Sequence, residues 1–129
     1  MANGSTIKPT AGELEILRVL WDRGPSTVRE VHEELSRRKD VGYTTVLKLL
    51  QIMAGKGMVN RNENQRAHVY GAKRPADETK RELADDVLQR VFGGSASQLM
   101  LHALEGRHTS RHEIEELRRL LDDYERGLQ

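Results

Sequence analysis

The chain has 129 residues, of which 32% are charged, carries a formal net charge of +1 and contains no cysteine. A chain of this length folds as one compact domain or two small ones, which excludes a large enzyme with a deep cleft. The lack of cysteine excludes a disulfide framework, thiolate metal sites and thiol catalysis. No apolar run approaches the roughly 18 residues that span a bilayer, and the start of the chain has no apolar signal core, so we expect a cytoplasmic protein.

The near-neutral total conceals an asymmetry of charge along the chain. Residues 1–74 carry 13 basic and 8 acidic side chains, whereas residues 75–129 carry 8 and 12. All the excess positive charge lies in residues 41–74, which hold six basic side chains and a single acidic one, Glu63. This distribution indicates a polyanionic partner for the first half of the chain, with an ordinary solvated face as the alternative.

Two capped helices are predicted at the start of the chain. Residues 10–13 (TAGE) and 27–30 (TVRE) each have the Thr-x-x-Glu spacing of a capping box. Apolar residues recur at helical intervals behind the first box until Gly24 and Pro25 end the helix. The second box opens a shorter amphipathic helix, which ends in the polar run 36–40.

A third helix and a hairpin are predicted next. The helix extends from Thr44 to about Lys56 and ends at Gly57. Its apolar stripe comprises Val46, Leu49, Leu50 and Met53. A strand then begins at residues 58–59, a polar turn occupies residues 60–65, and residues 67–70 return as a second strand. We therefore expect a mainly α chain with a small β-hairpin, in which residues 1–74 form a winged helix-turn-helix domain.

Residues 75–129 are predicted to form a helical dimerisation domain. Pro75 marks the boundary because it disfavours helix in the residue before it. Three helical patterns follow, and the last has a short coiled-coil-like seam. Paired with a second copy, these helices would bury an apolar side that a single chain leaves in water. The predicted dimer-interface residues are Leu83, Val87, Leu88, Val91, Leu99, Leu101, Ile114, Leu117, Leu120, Leu121 and Tyr124.

The third helix carries the predicted base-reading residues. In a helix-turn-helix motif, the second helix of the motif lies in the major groove, and its early residues meet base edges. The candidates on the outer side of this helix are Tyr43, Thr44, Thr45, Lys48 and Gln51. Threonine can hydrogen-bond a base or contact the methyl group of thymine, and lysine favours guanine edges. Capping of the helix start is the alternative role for the threonine pair.

Phosphate contacts are expected around this helix, where they would hold its register on the duplex. The candidates are Ser26, Thr27, Arg29, Lys56, Arg61 and Arg66. His68 and Tyr70 could assist at the base of the wing, but packing of Tyr70 against the first helix is the favoured alternative.

The wording of three segments resembles the penicillinase repressor family (BlaI/MecI/CopY type). They are PTAGELEILRVLWDRGPSTVREVHEEL, YTTVLKLLQIMAGKGMV and RAHVYGAKRP, and HEIEELRRLL matches the C-terminal helices of that family. The resemblance covers residues 8–125, and the Leu-Trp pair followed by Gly-Pro-Ser-Thr-Val is its most specific element. It implies a homodimeric transcriptional repressor that binds palindromic operator DNA and reads each half-site with the third helix.

Two departures from the family pattern concern how the protein would be released from DNA. In β-lactam-responsive members, a protease that is linked to a membrane-bound sensor inactivates the repressor by cutting an Asn-Phe bond in its dimerisation domain. The resemblance thus implies a membrane-bound sensor metallopeptidase as a partner. The aligned positions are His102 and Ala103, which puts the same cut in doubt while leaving a different cleavage specificity open. Copper-responsive members have a cysteine-rich tail, so a copper switch of that kind is excluded here.

Other kinds of site find little support in the sequence. His108 and His112 invite a metal site, but Ser110 caps a helix between them, so we expect surface histidines and no metal. No phosphate loop, nucleophile elbow or metalloprotease motif occurs, and we expect neither enzymatic activity nor a cofactor. A winged-helix protein-protein adaptor, whose basic face would bind an acidic partner with no DNA sequence preference, remains the alternative to a repressor.

Overall fold

The structure is a computed structural model, and it describes residues 8–64 and 66–128. The chain divides into two compact units, one ending at Leu83 and the other beginning at Ala84. This division falls inside a helix, since the second unit begins nine residues after Pro75, where the second domain was predicted to begin. The predicted domain boundary stays a prediction.

Three helices form most of the first unit: α1 (Ala11–Arg23), α2 (Val28–Ser36) and α3 (Tyr43–Lys56). The two predicted capping boxes are confirmed. The hydroxyls of Thr10 and Thr27 each accept a hydrogen bond from the backbone N–H three residues later, and the glutamate at that position accepts one from the capping residue. Both bonds satisfy donors that the first turn of a helix leaves unpaired, which fixes where α1 and α2 begin.

A three-stranded antiparallel sheet completes this unit. Its strands are β1 (Ser26–Thr27), β2 (Val59–Asn62) and β3 (Val69–Ala72), in the order β1-β3-β2. The prediction of a two-stranded hairpin is wrong in missing β1, where Ser26 lies opposite Tyr70 and Thr27 opposite Val69. The polar turn is also shorter than predicted, because residues 60–62 continue β2.

The core of the first unit lies between the three helices and the sheet. The cluster of buried apolar side chains comprises Ile16, Leu17, Val19, Leu20, Val28, Val31, Leu35, Val46, Leu50, Met53, Val59 and Tyr70. Tyr70 is 1% exposed, which confirms that it packs inside rather than facing a ligand. The inward stripe of α3 thus anchors this helix, and the rest of its surface faces outward.

Three further helices follow: α4 (Ala76–Arg90), α5 (Ala96–Glu105) and α6 (Arg111–Gly127). No residue of α5 or α6 is buried within the described chain. The predicted fold class, mainly helical with a small β element, is confirmed. Within residues 8–64 and 66–128, no helix has the length and apolar character needed to cross a membrane.

Candidate nucleic-acid interface

The five predicted base-reading residues all lie exposed on α3. Thr44, Thr45, Lys48 and Gln51 occupy the surface opposite the buried stripe, and Tyr43 is 48% exposed at the first position of the helix. They lie on consecutive turns, so the structure brings together the side chains that the sequence pattern predicted. Their contact with DNA stays a prediction.

The start of α3 has no side-chain cap. Its N-cap is Gly42, and no side chain accepts a hydrogen bond from the first turn. The alternative role for Thr44 and Thr45 as capping residues is therefore wrong, and both residues are exposed. The first N–H groups of a helix carry partial positive charge, so an uncapped and exposed start can receive an anionic oxygen.

His32 is a positioning residue that the sequence analysis missed. Its Nε2 lies 2.8 Å from the carbonyl oxygen of Val41, in the segment that leads into α3. Its ring also meets the Tyr43 ring edge to face, with centroids 5.9 Å apart and planes at 78°. A hydrogen bond from Nε2–H to this carbonyl ties α2 to the entry of α3 and helps fix where Tyr43 points.

The start of α2 corrects one predicted phosphate contact. Ser26 is fully buried, and its hydroxyl donates to the carbonyl oxygen of Gly24 at 2.8 Å. The prediction that Ser26 contacts phosphate is therefore wrong for its side chain, because Ser26 is buried in β1, where it lies opposite Tyr70. Thr27 is half-buried and accepts from the Glu30 N–H at 3.2 Å, whereas Arg29 is exposed.

Lys56, at the end of α3, has a partner inside the protein. Its Nζ donates to Oε2 of Glu13 at 2.9 Å, and Oε1 of the same carboxylate accepts from the Thr10 N–H at 2.9 Å. Burial raises the pKa of the Glu13 carboxyl, but the hydrogen bonds from Thr10 and Lys56 outweigh it, and the net pKa is below its ordinary value. Lys56 thus joins α3 to α1, and a phosphate would have to compete with this ion pair.

The wing presents basic side chains to solvent. Arg61, Arg66 and His68 are exposed on or beside β2 and β3. A side-chain hydrogen bond with Tyr70, together with the ion pair to Glu63, raises the pKa of Arg61 above its ordinary value, so this guanidinium stays charged. Arg61 pairs with Glu63, whereas Arg66 is exposed beside the strands.

Arg74 belongs to the basic stretch in sequence, but it faces acidic groups. Its Nε donates to Glu78 at 2.7 Å and its Nη1 to Glu82 at 3.0 Å, both on α4. Hydrogen bonds to these two carboxylates raise the pKa of Arg74 above its ordinary value. The indole N–H of Trp21 donates to the carbonyl oxygen of Arg74 at 3.2 Å. Arg74 therefore holds the start of α4, and its charge is not available to a polyanion.

The predicted dimer-interface residues lie on α4, α5, α6 and the turn that follows α4. Four of them, Leu83, Leu88, Leu99 and Leu117, are half-buried, and the other seven are exposed. On α6, Leu121 and Tyr124 are 66% and 71% exposed. Exposure of large apolar side chains at helical spacing is typical of a surface that another chain covers, and dimerisation stays a prediction.

The positions aligned with the family's cleavage site lie inside α5. His102 and Ala103 are exposed, and the His102 ring lies against Phe92 with centroids 5.7 Å apart. These two rings, with Val91 and Gln98, line an open hollow of about 570 Å³. A bond inside a helix becomes accessible to a protease only after local unfolding, and cleavage here stays a prediction.

The histidines of the C-terminal unit do not gather into a metal site. Among the described residues, no group of three or more His, Cys, Asp or Glu side chains is arranged to hold a metal ion. His112 instead lies 3.8 Å from the carboxylate of Glu116, one helical turn away on α6.

Comparisons with known proteins give a family match and named relatives. Residues 9–123 match the penicillinase repressor family. The chain is 39% identical over 120 residues to the transcriptional regulator BlaI of Mycobacterium tuberculosis, covering 90% of this chain and 86% of that protein. It is 24% identical over 123 residues to the penicillinase repressor of Staphylococcus aureus, covering 95% and 97%. The solution structure of the DNA-binding domain of the repressor BlaI matches with a TM-score of 0.50 and 26% identity, covering 60% of this chain and 93% of that one.

Proposed function

Because the chain belongs to the penicillinase repressor family, we propose that it is a transcriptional repressor that binds palindromic operator DNA as a homodimer. The observation that carries the proposal is the outer surface of α3, where Tyr43, Thr44, Thr45, Lys48 and Gln51 are exposed together beside an uncapped helix start. No part of this surface is needed for the core, and its residue types match those that read base edges in the major groove.

In this proposal, contacts with base edges provide specificity, and contacts with phosphates provide affinity. Lys48 and Gln51 would meet base edges, where lysine favours guanine and glutamine favours adenine. Arg29, Arg61 and Arg66 would meet phosphates, which adds affinity without sequence information. Arg61 must exchange its ion pair with Glu63 for a phosphate oxygen, so we expect it to contribute less than Arg66.

The direct test is a gel-shift and footprint series on the DNA upstream of the protein's own gene. Specific binding should exceed binding to random duplex by on the order of 10³ or more and should fall steeply with salt. Lys48→Ala should cost roughly 1–3 kcal/mol and relax sequence preference, whereas Arg66→Ala should weaken all sequences alike. Equal losses on operator and random DNA for both variants would show that α3 is not the reading helix.

The homodimer supplies the second half of the proposal. Each protomer would hold one half-site, and the apolar residues of α4, α5 and α6 would join the two. A protein-protein adaptor, the alternative function, would bind DNA with no footprint and no sequence preference, so the same series separates the two.

Release from DNA is the part of the proposal that depends most on the family resemblance. We propose a membrane-bound sensor metallopeptidase as the partner that triggers cleavage near His102 and Ala103 in α5. Replacement of His102 by proline, which alters the site and weakens the helix, would change the cleavage rate in cells that hold the sensor. Identical product and rate in wild type and variant would exclude this bond.

A further inference from the structure

Ile52 is an apolar side chain on the outer, polar surface of α3. It is 41% exposed, and it does not belong to the buried cluster or to the half-buried apolar side chains that pack on it. It follows Gln51 directly and lies one helical turn beyond Lys48. The core therefore does not account for an isoleucine at this position, although scattered exposed apolar residues occur on most proteins.

The neighbouring position on the same surface has no side chain. A Cβ built on Gly55, one turn beyond Ile52, would meet no heavy atom within 4 Å. Gly55 is not one of the described glycines whose φ is positive. Neither crowding nor backbone geometry therefore requires glycine at this position. Glycine in a helix costs about 1 kcal/mol relative to alanine. Because glycine has no side chain, another molecule can approach the backbone of α3 closely beside Ile52.

The chemistry of the major groove contains one apolar group that Ile52 could meet. Base edges there present hydrogen-bond donors and acceptors, except for the 5-methyl group of thymine. Gln51, its immediate neighbour, is of the type that pairs with the N6 and N7 atoms of adenine. The nine residues from Thr44 to Ile52 are separated by eight helical steps and so span about 12 Å of helix axis, which reaches about three base pairs at 3.4 Å each.

We propose that Ile52 is a specificity-determining residue that contacts the 5-methyl group of one thymine in each half-site. The proposal rests on the repressor function and adds to it a named base atom that the side chain recognises. Gly55 serves the same contact by letting the C-terminal half of α3 lie close to the groove.

The test changes the DNA rather than the fold of the protein. Each thymine of the footprinted half-site is replaced in turn by deoxyuridine, which removes the methyl group and leaves base pairing unchanged. Wild-type protein should lose about three- to fivefold in affinity at one thymine per half-site, as burial of one methyl-sized group predicts. Ile52→Ala should bind the thymine operator more weakly by a similar factor and should lose the response to deoxyuridine at that thymine.

Two further variants act as controls. Lys48→Ala should bind the operator more weakly than wild type but keep the full response to deoxyuridine at that thymine, because its contact is with a different base. Ile52→Val, which retains a branched apolar side chain, should keep part of the response. A misfolded variant would lose the preference for operator over random duplex, whereas Ile52→Ala should keep that preference and lose only the response to deoxyuridine.

The contrary outcomes are distinct. If wild type prefers the operator but shows no deoxyuridine effect at any thymine, or if Ile52→Ala keeps the full effect, the contact is refuted and the repressor function stands. If wild type shows no preference for the operator over random duplex, the repressor function fails and this inference fails with it.

Discussion

Replacement of Glu13 by glutamine tests the ion pair that joins the start of α1 to the end of α3. The Glu13 carboxylate is 2% exposed and holds Lys56 at 2.9 Å through Oε2, while Oε1 accepts from the Thr10 N–H. Glutamine keeps the shape of the side chain and can keep the capping bond, since glutamine also serves in capping boxes. The substitution therefore isolates the contribution of the charge opposite Lys56.

The expected magnitude follows from the different exposure of the two partners. Removing one partner of a fully buried ion pair costs about 3–5 kcal/mol, because the other charge is left buried and unpaired. The Lys56 side chain is 37% exposed, so it can turn towards water. We therefore expect Glu13→Gln to lower the free energy of unfolding by about 1–2 kcal/mol. A loss of 1 kcal/mol lowers the Tm of a domain of this size by roughly 4–8 °C.

The pH dependence of stability should change in the same variant. Although burial acts in the opposite direction, the hydrogen bonds hold the pKa of Glu13 below its unfolded value of 4.5. Stabilisation from the ionised carboxylate is then complete above the unfolded value and is lost as pH falls through the folded one. The free energy of unfolding of wild type should thus decline more than that of Glu13→Gln between pH 6 and the acid limit of folding.

Urea unfolding at pH 7 and at several lower pH values measures both quantities. The matched control is Glu15→Gln, since Glu15 pairs with Lys39 at 3.0 Å but both side chains are more than 40% exposed. Exposed pairs contribute about 0–1 kcal/mol, so this control should lie near wild type. If Glu13→Gln and Glu15→Gln have the same effect, or if the two pH profiles are parallel, the ion pair between Glu13 and Lys56 does not stabilise the domain.

Three further substitutions probe other parts of the chain. Gly55→Ala should raise the free energy of unfolding by about 0.5–1 kcal/mol, whereas Gly57→Ala, at a φ of +81°, should lower it. Urea unfolding of the two variants compares them, and equal effects would contradict a helical backbone at Gly55 and a left-handed one at Gly57. Leu117→Asp should give monomers by sedimentation and abolish operator binding, while Arg119→Asp on the polar side of α6 should remain dimeric; a dimeric Leu117→Asp would refute the proposed interface. Arg74→Ala should accelerate amide hydrogen exchange at the start of α4 because both carboxylate contacts are lost; unchanged exchange there would mean that the contacts do not hold the helix.

Features that local sequence determines could be predicted. A capping box is contained within four residues, so Thr10 and Thr27 were sufficient to fix the starts of α1 and α2. Helical periodicity separated the buried stripe of α3 from its outer surface, and this placed Lys48 and Gln51 on the exposed side.

Features that depend on distant partners could not be predicted. Ser26 followed a helix-ending turn and preceded a helix, and nothing nearby indicated that it pairs with Tyr70 in a strand. The partner of Lys56 lies 43 residues earlier in the chain, and its charge alone favoured a phosphate. His32 and Val41 are nine residues apart, a spacing that matches no helical or strand period. In each case tertiary packing determines the contact, and the neighbouring residues in the sequence do not indicate it.

The hydrogen bond from the indole of Trp21 to the carbonyl of Arg74 gives the molecule a built-in optical reporter. Trp21 is the single tryptophan of the chain, so all indole emission originates at this junction between α1 and the segment that enters α4. Fluorescence of the unlabelled protein therefore follows the integrity of one defined place. A shift in the emission wavelength upon adding duplex would mean that contact at α3 alters the surroundings of Trp21.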